Sequence, residues 1–387
     1  MKQNESDLLS SSRILGEACH EAGVGREVFD DVSESLEHLV ESLNRDAALH
    51  RAGRLRAANL LKHALRQRLE IQAARGRHPA SLKREIKRPL FIVGLPRSGS
   101  SLLHQLMCQD EDNRTPRVWE LSYPMPPPDT ASYASNPRIG LARHDLEVIN
   151  TAHPHAHRAR LLAAEEAGDC SAIFNSCLMS TQLLTHYAVP GYARWFWDQP
   201  LDESYRWYRE ELQLLQTNVL GNWVLRSPFH QWGVEALQEV FPDAILVQTH
   251  REPLELLAAG ASRWESLRRA HSDKVDPLAC GSDVADAADR YARRFGQWRE
   301  QHGAATVIDV GFRELIANPL DTLASIYRAS GRKLGMHARM RMQSWLRSNP
   351  QYAESGQRRY DARRYGLDAT AVQPHMTEYC ERYRELF

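Results

Sequence analysis

One segment near residue 95 constrains the fold more than any other part of the chain. A short apolar run, Pro89–Val93, leads through Gly94, Arg97 and Gly99 into residues 100–109, which have a helical pattern. The apolar run is typical of a strand that a parallel sheet buries on both faces. A strand that turns through glycines into a helix directs backbone N–H groups and the helix N-terminus at an anion. The segment therefore predicts a phosphate-like ligand beside a buried parallel strand.

Three further segments, 222–225, 244–248 and 305–310, are short runs that read as strands, and helical stretches separate them. Strands alternating with helices indicate a parallel sheet with helices on its faces. The fold class predicted is α/β, a P-loop NTPase-like parallel sheet flanked by helices, with a helical N-terminal region. We expect that region to span 1–86 and the α/β domain to span 87–387.

The N-terminal region carries its charge unevenly. Residues 1–50 hold four Lys/Arg and eleven Asp/Glu, whereas residues 51–88 hold twelve Lys/Arg and two Asp/Glu. Because charge runs usually lie on solvated faces, we predict two helices, acidic and then basic, that contact each other or a second subunit. A surface for an anionic partner on the basic helix is the alternative. A homodimer is therefore one arrangement that stays open.

Composition limits the function classes. The 387 residues include 49 Lys+Arg and 49 Asp+Glu, whereas dedicated nucleic-acid binding depends on excess cations, so no nucleic-acid partner is expected. The six cysteines form no CxxC pair, which argues against a zinc site and a disulfide framework. No apolar run has the length of a membrane span. We expect a cytoplasmic protein without a membrane span.

The glycine loop differs from that of an ordinary ATP-binding protein. Gly94 and Gly99 have the spacing of the P-loop GxxxxGK[ST], and Ser101 stands at the Ser/Thr position. Ser100, however, replaces the lysine, and the cation lies inside the loop, at Arg97. The loop should bind a phosphate-like anion, but not in the manner of a kinase.

The segment Arg88–Met107, with its PRSGSS, resembles the 5′-phosphosulfate loop of sulfotransferases that use 3′-phosphoadenosine 5′-phosphosulfate (PAPS). It is most similar to the bacterial branch whose loop reads PRSGTT. Segments Gln109–Glu120, Trp223–His230 and Phe241–Pro253 agree with that branch in order, and the resemblance covers about residues 25–387. It implies transfer of a sulfuryl group from PAPS to a hydroxyl or amine of a small molecule or glycan. The second product is 3′-phosphoadenosine 5′-phosphate (PAP), and no metal is expected.

The resemblance also implies a second anion site. Arg251 matches the family arginine that contacts the 3′-phosphate, but the serine that helps it eight residues later is Ala259 in this chain. Ser262, one turn further on, is the substitute we expect. The loss of one hydrogen bond to a charged group costs about 1.5–3 kcal/mol. An ion pair with Glu252 or Glu255 is the alternative role for Arg251.

A C-terminal segment, Gly356–Tyr360, resembles the family loop that closes over the 3′-phosphate end. The residues implied to bind PAPS are Arg97, Ser98, Gly99, Ser100, Ser101, Arg251, Ser262, Arg358 and Arg359.

Sulfuryl transfer should depend on positioning and fixed positive charge, for which Arg97 and Arg226 are the candidates. A base must also reach the acceptor. Glu120 is our first candidate, because related sulfotransferases place a glutamate in a similar region, and His230 is the second. A structural carboxylate paired with an arginine is the alternative for Glu120.

Two other clusters invite functional interpretations. His153, His155 and His157 suggest a metal site, although a solvated loop is the simpler interpretation. Residues 187–208 hold eight aromatic side chains, which favour helix packing over an apolar acceptor pocket.

Two rival functions remain open at this stage. An ATP-dependent kinase would need an acidic metal ligand, for which Asp309 is the candidate at a strand end. A non-catalytic nucleotide-binding protein is suggested by Ala259 and Gln357, which depart from the family pattern.

Overall fold

The computed structural model describes residues 8–152, 163–303, 306–350 and 360–387. At its centre lies a five-stranded, fully parallel sheet in the order β2-β3-β1-β4-β5. The strands are β1 (Leu90–Gly94), β2 (Asn113–Arg114), β3 (Asn222–Arg226), β4 (Ile245–His250) and β5 (Val307–Gly311). The predicted fold class is confirmed. Only the edge strand β2 was missed, because two residues are too few to produce a strand pattern.

Helices cover both faces of the sheet. In chain order they are α1 (Ser11–Ala22), α2 (Asp30–Arg45), α3 (Arg51–Arg77), α4 (Ser100–Met107), α5 (Val118–Ser122), α6 (Pro137–Ala152), α7 (Thr181–His186), α8 (Pro190–Phe196), α9 (Asp202–Leu215), α10 (Val234–Val240), α11 (Pro253–Arg269), α12 (Pro277–His302), α13 (Phe312–Ala317), α14 (Pro319–Ala329), α15 (Met336–Ser348) and α16 (Ala369–Tyr383). None of these helices is long and apolar enough to cross a membrane.

The central strand β1 is buried on both faces, as its unbroken apolar run predicts. Phe91 and Val93 belong to a large core that also holds residues of α2 and α3. Leu90 and Ile92 point to the opposite face, into a second core built by α4, α14 and α15. The N-terminal helices therefore share one apolar core with the sheet.

The opposite charges of the N-terminal helices form ion pairs with one another. On the basic helix α3, Lys62 pairs with Glu17 of α1, and Arg68 pairs with Asp31 of α2. The prediction that the acidic and basic helices contact each other is confirmed. These cations are thus engaged by carboxylates of the same chain.

The aromatic-rich stretch 187–208 packs inside the protein. Tyr192, Phe196, Tyr205 and Tyr208 are fully buried, and their rings contact one another and Phe229. The interpretation of these residues as helix packing is therefore confirmed.

Strand connectivity determines where a ligand can bind. After β1 the chain continues through α4 to β2 on one side of the sheet, whereas after β4 it continues to β5 on the other side. Strands β1 and β4 are neighbours, with Gly94 opposite Thr249 in register. Open α/β sheets bind ligands at such a switch point, outside the carboxyl ends of the strands.

One buried acid gives a prediction about stability. Burial raises the pKa of Glu211, on α9, to about 8 from an ordinary value of 4.5. One carboxylate oxygen of Glu211 has no partner among the described residues. The folded protein therefore holds this proton while the unfolded chain releases it, so stability should fall as the pH rises from 4.5 to 8.

We expect Glu211→Gln, which cannot ionise, to raise the free energy of unfolding at pH 8 by on the order of 3 kcal/mol. The gain should shrink toward pH 5. Urea unfolding at several pH values measures it, with the exposed Glu203→Gln as the control. An equal effect of Glu211→Gln at pH 5 and pH 8 would contradict this assignment.

Candidate functional site

The glycine loop (Gly94–Gly99) occupies the switch point between β1 and β4. A Cβ atom at Gly94 would lie 2.2 Å from Thr249 Oγ1, and one at Gly99 would lie 2.8 Å from Phe312 Cδ2. Gly99 has a φ of 95°, which also favours glycine. Neither position accommodates a side chain, so the sequence can form this tight turn only with glycine.

Arg97 adopts a left-handed backbone with a φ of 76°, a conformation that costs a residue with a Cβ about 1–2 kcal/mol. Its Nε atom is buried and has no hydrogen-bond partner among the described residues. A left-handed backbone at a residue other than glycine is a form of strain that is common at functional sites.

The serines of the loop serve different purposes. Ser98 is fully buried, and its hydroxyl lies 2.6 Å from both the Leu95 carbonyl oxygen and Thr249 Oγ1. This side chain therefore ties the loop to β4, which leaves only its backbone for a ligand. Ser100 is buried and Ser101 exposed at the first turn of α4, where N–H groups lack helical partners.

Arg251 follows β4 and is held beside the loop. Its Nη1 donates to the Arg97 carbonyl oxygen at 3.2 Å, and its guanidinium lies 4.3 Å above the Phe312 ring. Its Nη2 also pairs with Glu255 at 3.1 Å. The ion pair considered as an alternative is thus present, and the same guanidinium is also joined to the glycine loop.

The substitute serine occupies a different environment. Ala259 is buried within α11, and the Ser262 hydroxyl is hydrogen-bonded to Tyr365. Tyr365 also donates to Glu265 Oε2 at 2.9 Å. Ser262 is therefore engaged by a tyrosine in this structure.

Arg226, at the carboxyl end of β3, lies on the other side of the loop. It is 9% exposed, and its Nη2 lies 2.9 Å from Asp169 Oδ2. Asp169 precedes a short 3₁₀ helix, Cys170–Cys177, and its Oδ1 caps that helix through Ser171. Sequence reasoning missed Asp169; an aspartate two residues before a serine is a cap signal, but it does not identify a ligand site.

Arg263 on α11 completes the cationic site, and sequence reasoning missed it as well. Burial and the positive charges of Arg97 and Arg226 together lower the pKa of Arg263 to about 10. Arg263 therefore lies within electrostatic reach of both of these guanidinium groups. Mutual repulsion on this scale is relieved when an anion binds among them.

The family model described as "Sulfotransferase family" matches residues 89–335. The chain belongs to the sulfotransferase family. Its fold is similar to the sulfotransferase STF9 from Mycobacterium avium, with a TM-score of 0.86, 25% identity and 98% of each chain covered. It is also similar to the sulfotransferase STF1 from Mycobacterium tuberculosis H37Rv, with a TM-score of 0.82 and 29% identity over 96% of this chain and 99% of that one. No curated protein sequence matches the chain significantly.

In this sulfotransferase Glu120 is enclosed. Its side chain has no exposed surface and pairs with Arg114, while its Oε2 also accepts from the Arg117 N–H at 2.9 Å and the Tyr133 hydroxyl at 2.7 Å. Arg114 stacks 4.8 Å from the Trp223 ring. These contacts are those of a structural carboxylate, the alternative considered for Glu120.

His230 is enclosed as well. Its Nδ1 lies 2.8 Å from the Tyr205 hydroxyl and its Nε2 lies 3.2 Å from Cys170 Sγ. Burial lowers the pKa of His230 to about 3 and raises that of Cys170 to about 12. Both ring nitrogens have partners inside the protein, and the imidazole has no exposed surface.

Two sets of candidates lie outside the described residues. These are Arg358 and Arg359 of the closing loop, and His153, His155 and His157. Within the described ranges, no group of three or more His, Cys, Asp or Glu side chains could hold a metal ion.

Proposed function

We propose that this sulfotransferase uses PAPS and transfers its sulfuryl group to a hydroxyl or amine of a small-molecule or glycan acceptor. The observation that carries the proposal is the hydrogen bond from Arg251 Nη1 to the Arg97 carbonyl oxygen, which joins the cation after β4 to the glycine loop after β1. Arg97 itself has a buried Nε without a partner among the described residues.

The residues of the site fit both anionic groups of PAPS. Free N–H groups at the start of α4, with Arg97, would hold the 5′-phosphosulfate, as anions bind at helix N-termini. Arg226 and Arg263 would face the sulfuryl group, where fixed cations stabilise charge that develops during transfer. Arg251 would hold the 3′-phosphate in place of its present partner, Glu255.

The rival kinase function finds little support at Asp309. Its carboxylate pairs with Arg299 and lies 2.8 Å from His250 Nε2. Although burial raises the pKa of Asp309, the hydrogen bonds from Arg299 and His250 lower it to about 2. Because the Arg299 guanidinium donates to both oxygens of Asp309, this carboxylate is poorly placed to hold the magnesium ion of ATP.

A titration of the purified chain with PAP and with AMP tests the proposal. The two ligands differ in the 3′-phosphate, so we expect PAP to bind more tightly. Arg251→Ala should weaken PAP binding by about 10- to 100-fold, because a hydrogen bond to a charged group contributes about 1.5–3 kcal/mol. AMP binding should change little.

The exposed Arg328→Ala serves as the matched control, and ATP with Mg²⁺ as the competing ligand. Tighter binding of ATP with Mg²⁺ than of PAP would overturn the proposal in favour of a kinase. Binding of PAP without consumption of PAPS in the presence of diverse acceptors would favour the non-catalytic alternative.

A further inference from the structure

The identity of the base follows from which carboxylate can reach the reacting group. The acceptor proton must be taken within hydrogen-bonding distance of the transferred sulfuryl group. Neither Glu120 nor His230 has any exposed surface. His104, on α4, is also buried, and burial lowers its pKa to about 3.

Asp169, unlike these residues, is partly accessible and lies beside Arg226. Its Oδ2 lies 2.9 Å from Arg226 Nη2 at the carboxyl end of β3, and 27% of its side chain is accessible, compared with none of Glu120. Its Oδ1 accepts from the Ser171 N–H at 3.0 Å and from the Ser171 hydroxyl at 2.8 Å. Ser171 thus holds Oδ1, whereas Oδ2 is paired with Arg226, one of the proposed cations of the site.

The surroundings keep Asp169 ionised. Burial raises its pKa, but the charge of Arg226 and hydrogen bonds from Ser171 and Ser227 together bring it below the ordinary value. Arg263 adds a further nearby positive charge. During transfer, Arg226 interacts with the negative charge that develops on the sulfuryl group. Its electrostatic interaction with Asp169 then weakens, so the carboxylate becomes a better proton acceptor.

Building on the proposed function, we propose that Asp169 is the base that takes the acceptor proton through Oδ2. The acceptor oxygen or nitrogen forms its bond to sulfur with its own lone pair. The bond between sulfur and the phosphate oxygen breaks, and its electron pair stays on that oxygen, which leaves as part of PAP. The acceptor proton passes to Asp169 Oδ2 and is then released to water, so atoms and charge balance.

The acidity of the acceptor distinguishes a base from a residue that only holds Arg226. Two probes of similar size, ethanol and the more acidic trifluoroethanol, are supplied with radiolabelled PAPS to the wild type and to Asp169→Asn. Asparagine retains a hydrogen-bond acceptor for Ser171 but cannot take a proton. We expect transfer to ethanol to fall by at least about 100-fold, the usual contribution of a general base, and transfer to trifluoroethanol to fall markedly less.

PAP binding to Asp169→Asn should stay within about twofold of the wild type, since a shift of 0.4 kcal/mol corresponds to that factor. Asp283→Asn, which breaks a different arginine–aspartate pair, is the control. Equal losses with both alcohols would overturn the proposal and assign Asp169 to the positioning of Arg226. If Asp169→Asn does not fold, Asp169→Ser applies the same comparison. Failure of the wild type itself to bind PAP or consume PAPS would instead refute the proposed function.

Discussion

Replacement of Arg97 by alanine should reduce sulfuryl transfer by about 100- to 1,000-fold, the effect typical of removing one preorganised group that stabilises transition-state charge. PAP binding should weaken by a smaller factor, about 10- to 100-fold. The reason is the position of Arg97 within the glycine loop, where its Nε is buried without a partner among the described residues. Gly94 and Gly99 leave no space for a side chain, so neither of these two positions can carry a cation in place of Arg97.

Calorimetric titration with PAP and a radiolabelled PAPS assay measure the two effects separately. Arg97→Lys keeps the charge without the planar fork and should retain part of the activity. Arg97→Gly removes the cation and also relieves the left-handed backbone at a φ of 76°, so it should be as inactive as alanine but more stable. An Arg97→Ala variant that binds PAP like the wild type would refute the role of this residue.

The second large effect concerns stability. Glu120→Gln should lower the free energy of unfolding by about 3–5 kcal/mol, because it leaves the buried Arg114 without its counter-charge. In a chain of this size that loss corresponds to a fall of about 4–6 °C in Tm. Replacing Glu120 and Arg114 together by leucine and methionine should recover much of the loss, since the unpaired charge is then absent.

Thermal unfolding of Glu120→Gln, compared with the exposed Glu111→Gln, measures the destabilisation. Activity is assayed well below the lower Tm, where we expect the folded variant to retain most of its transfer rate. An unchanged Tm combined with a 100-fold loss of activity would identify Glu120 as the base and would argue against Asp169.

Much of the fold follows from local sequence patterns. The apolar runs placed β1, β3, β4 and β5 to within a few residues, because strands buried on both faces need continuous apolar side chains. The long helix α12 was not predicted, although Asp276 caps it and Pro277 begins it. That pair is a recognisable start signal.

For the candidate site, the sequence located some of the residues but not others. The glycine loop and the arginines Arg97, Arg226 and Arg251 could be located from the sequence, because each directly follows or ends a strand whose carboxyl end must lie at the ligand edge of the sheet. The sequence by itself thus determined the parallel sheet and the cations at the carboxyl edge of its strands, where we propose that the anion binds.

Only the tertiary structure decided which acids and further cations join them. Asp169 meets Arg226 across 57 positions of chain, and Arg263 reaches the site from the third turn of α11. Burial is likewise a property of the packed molecule. Glu120 and His230 are both fully buried. The residue type gives the chemistry of a side chain. Its access to a ligand depends on packing between segments that are distant in the chain, and no local sequence pattern predicts that packing.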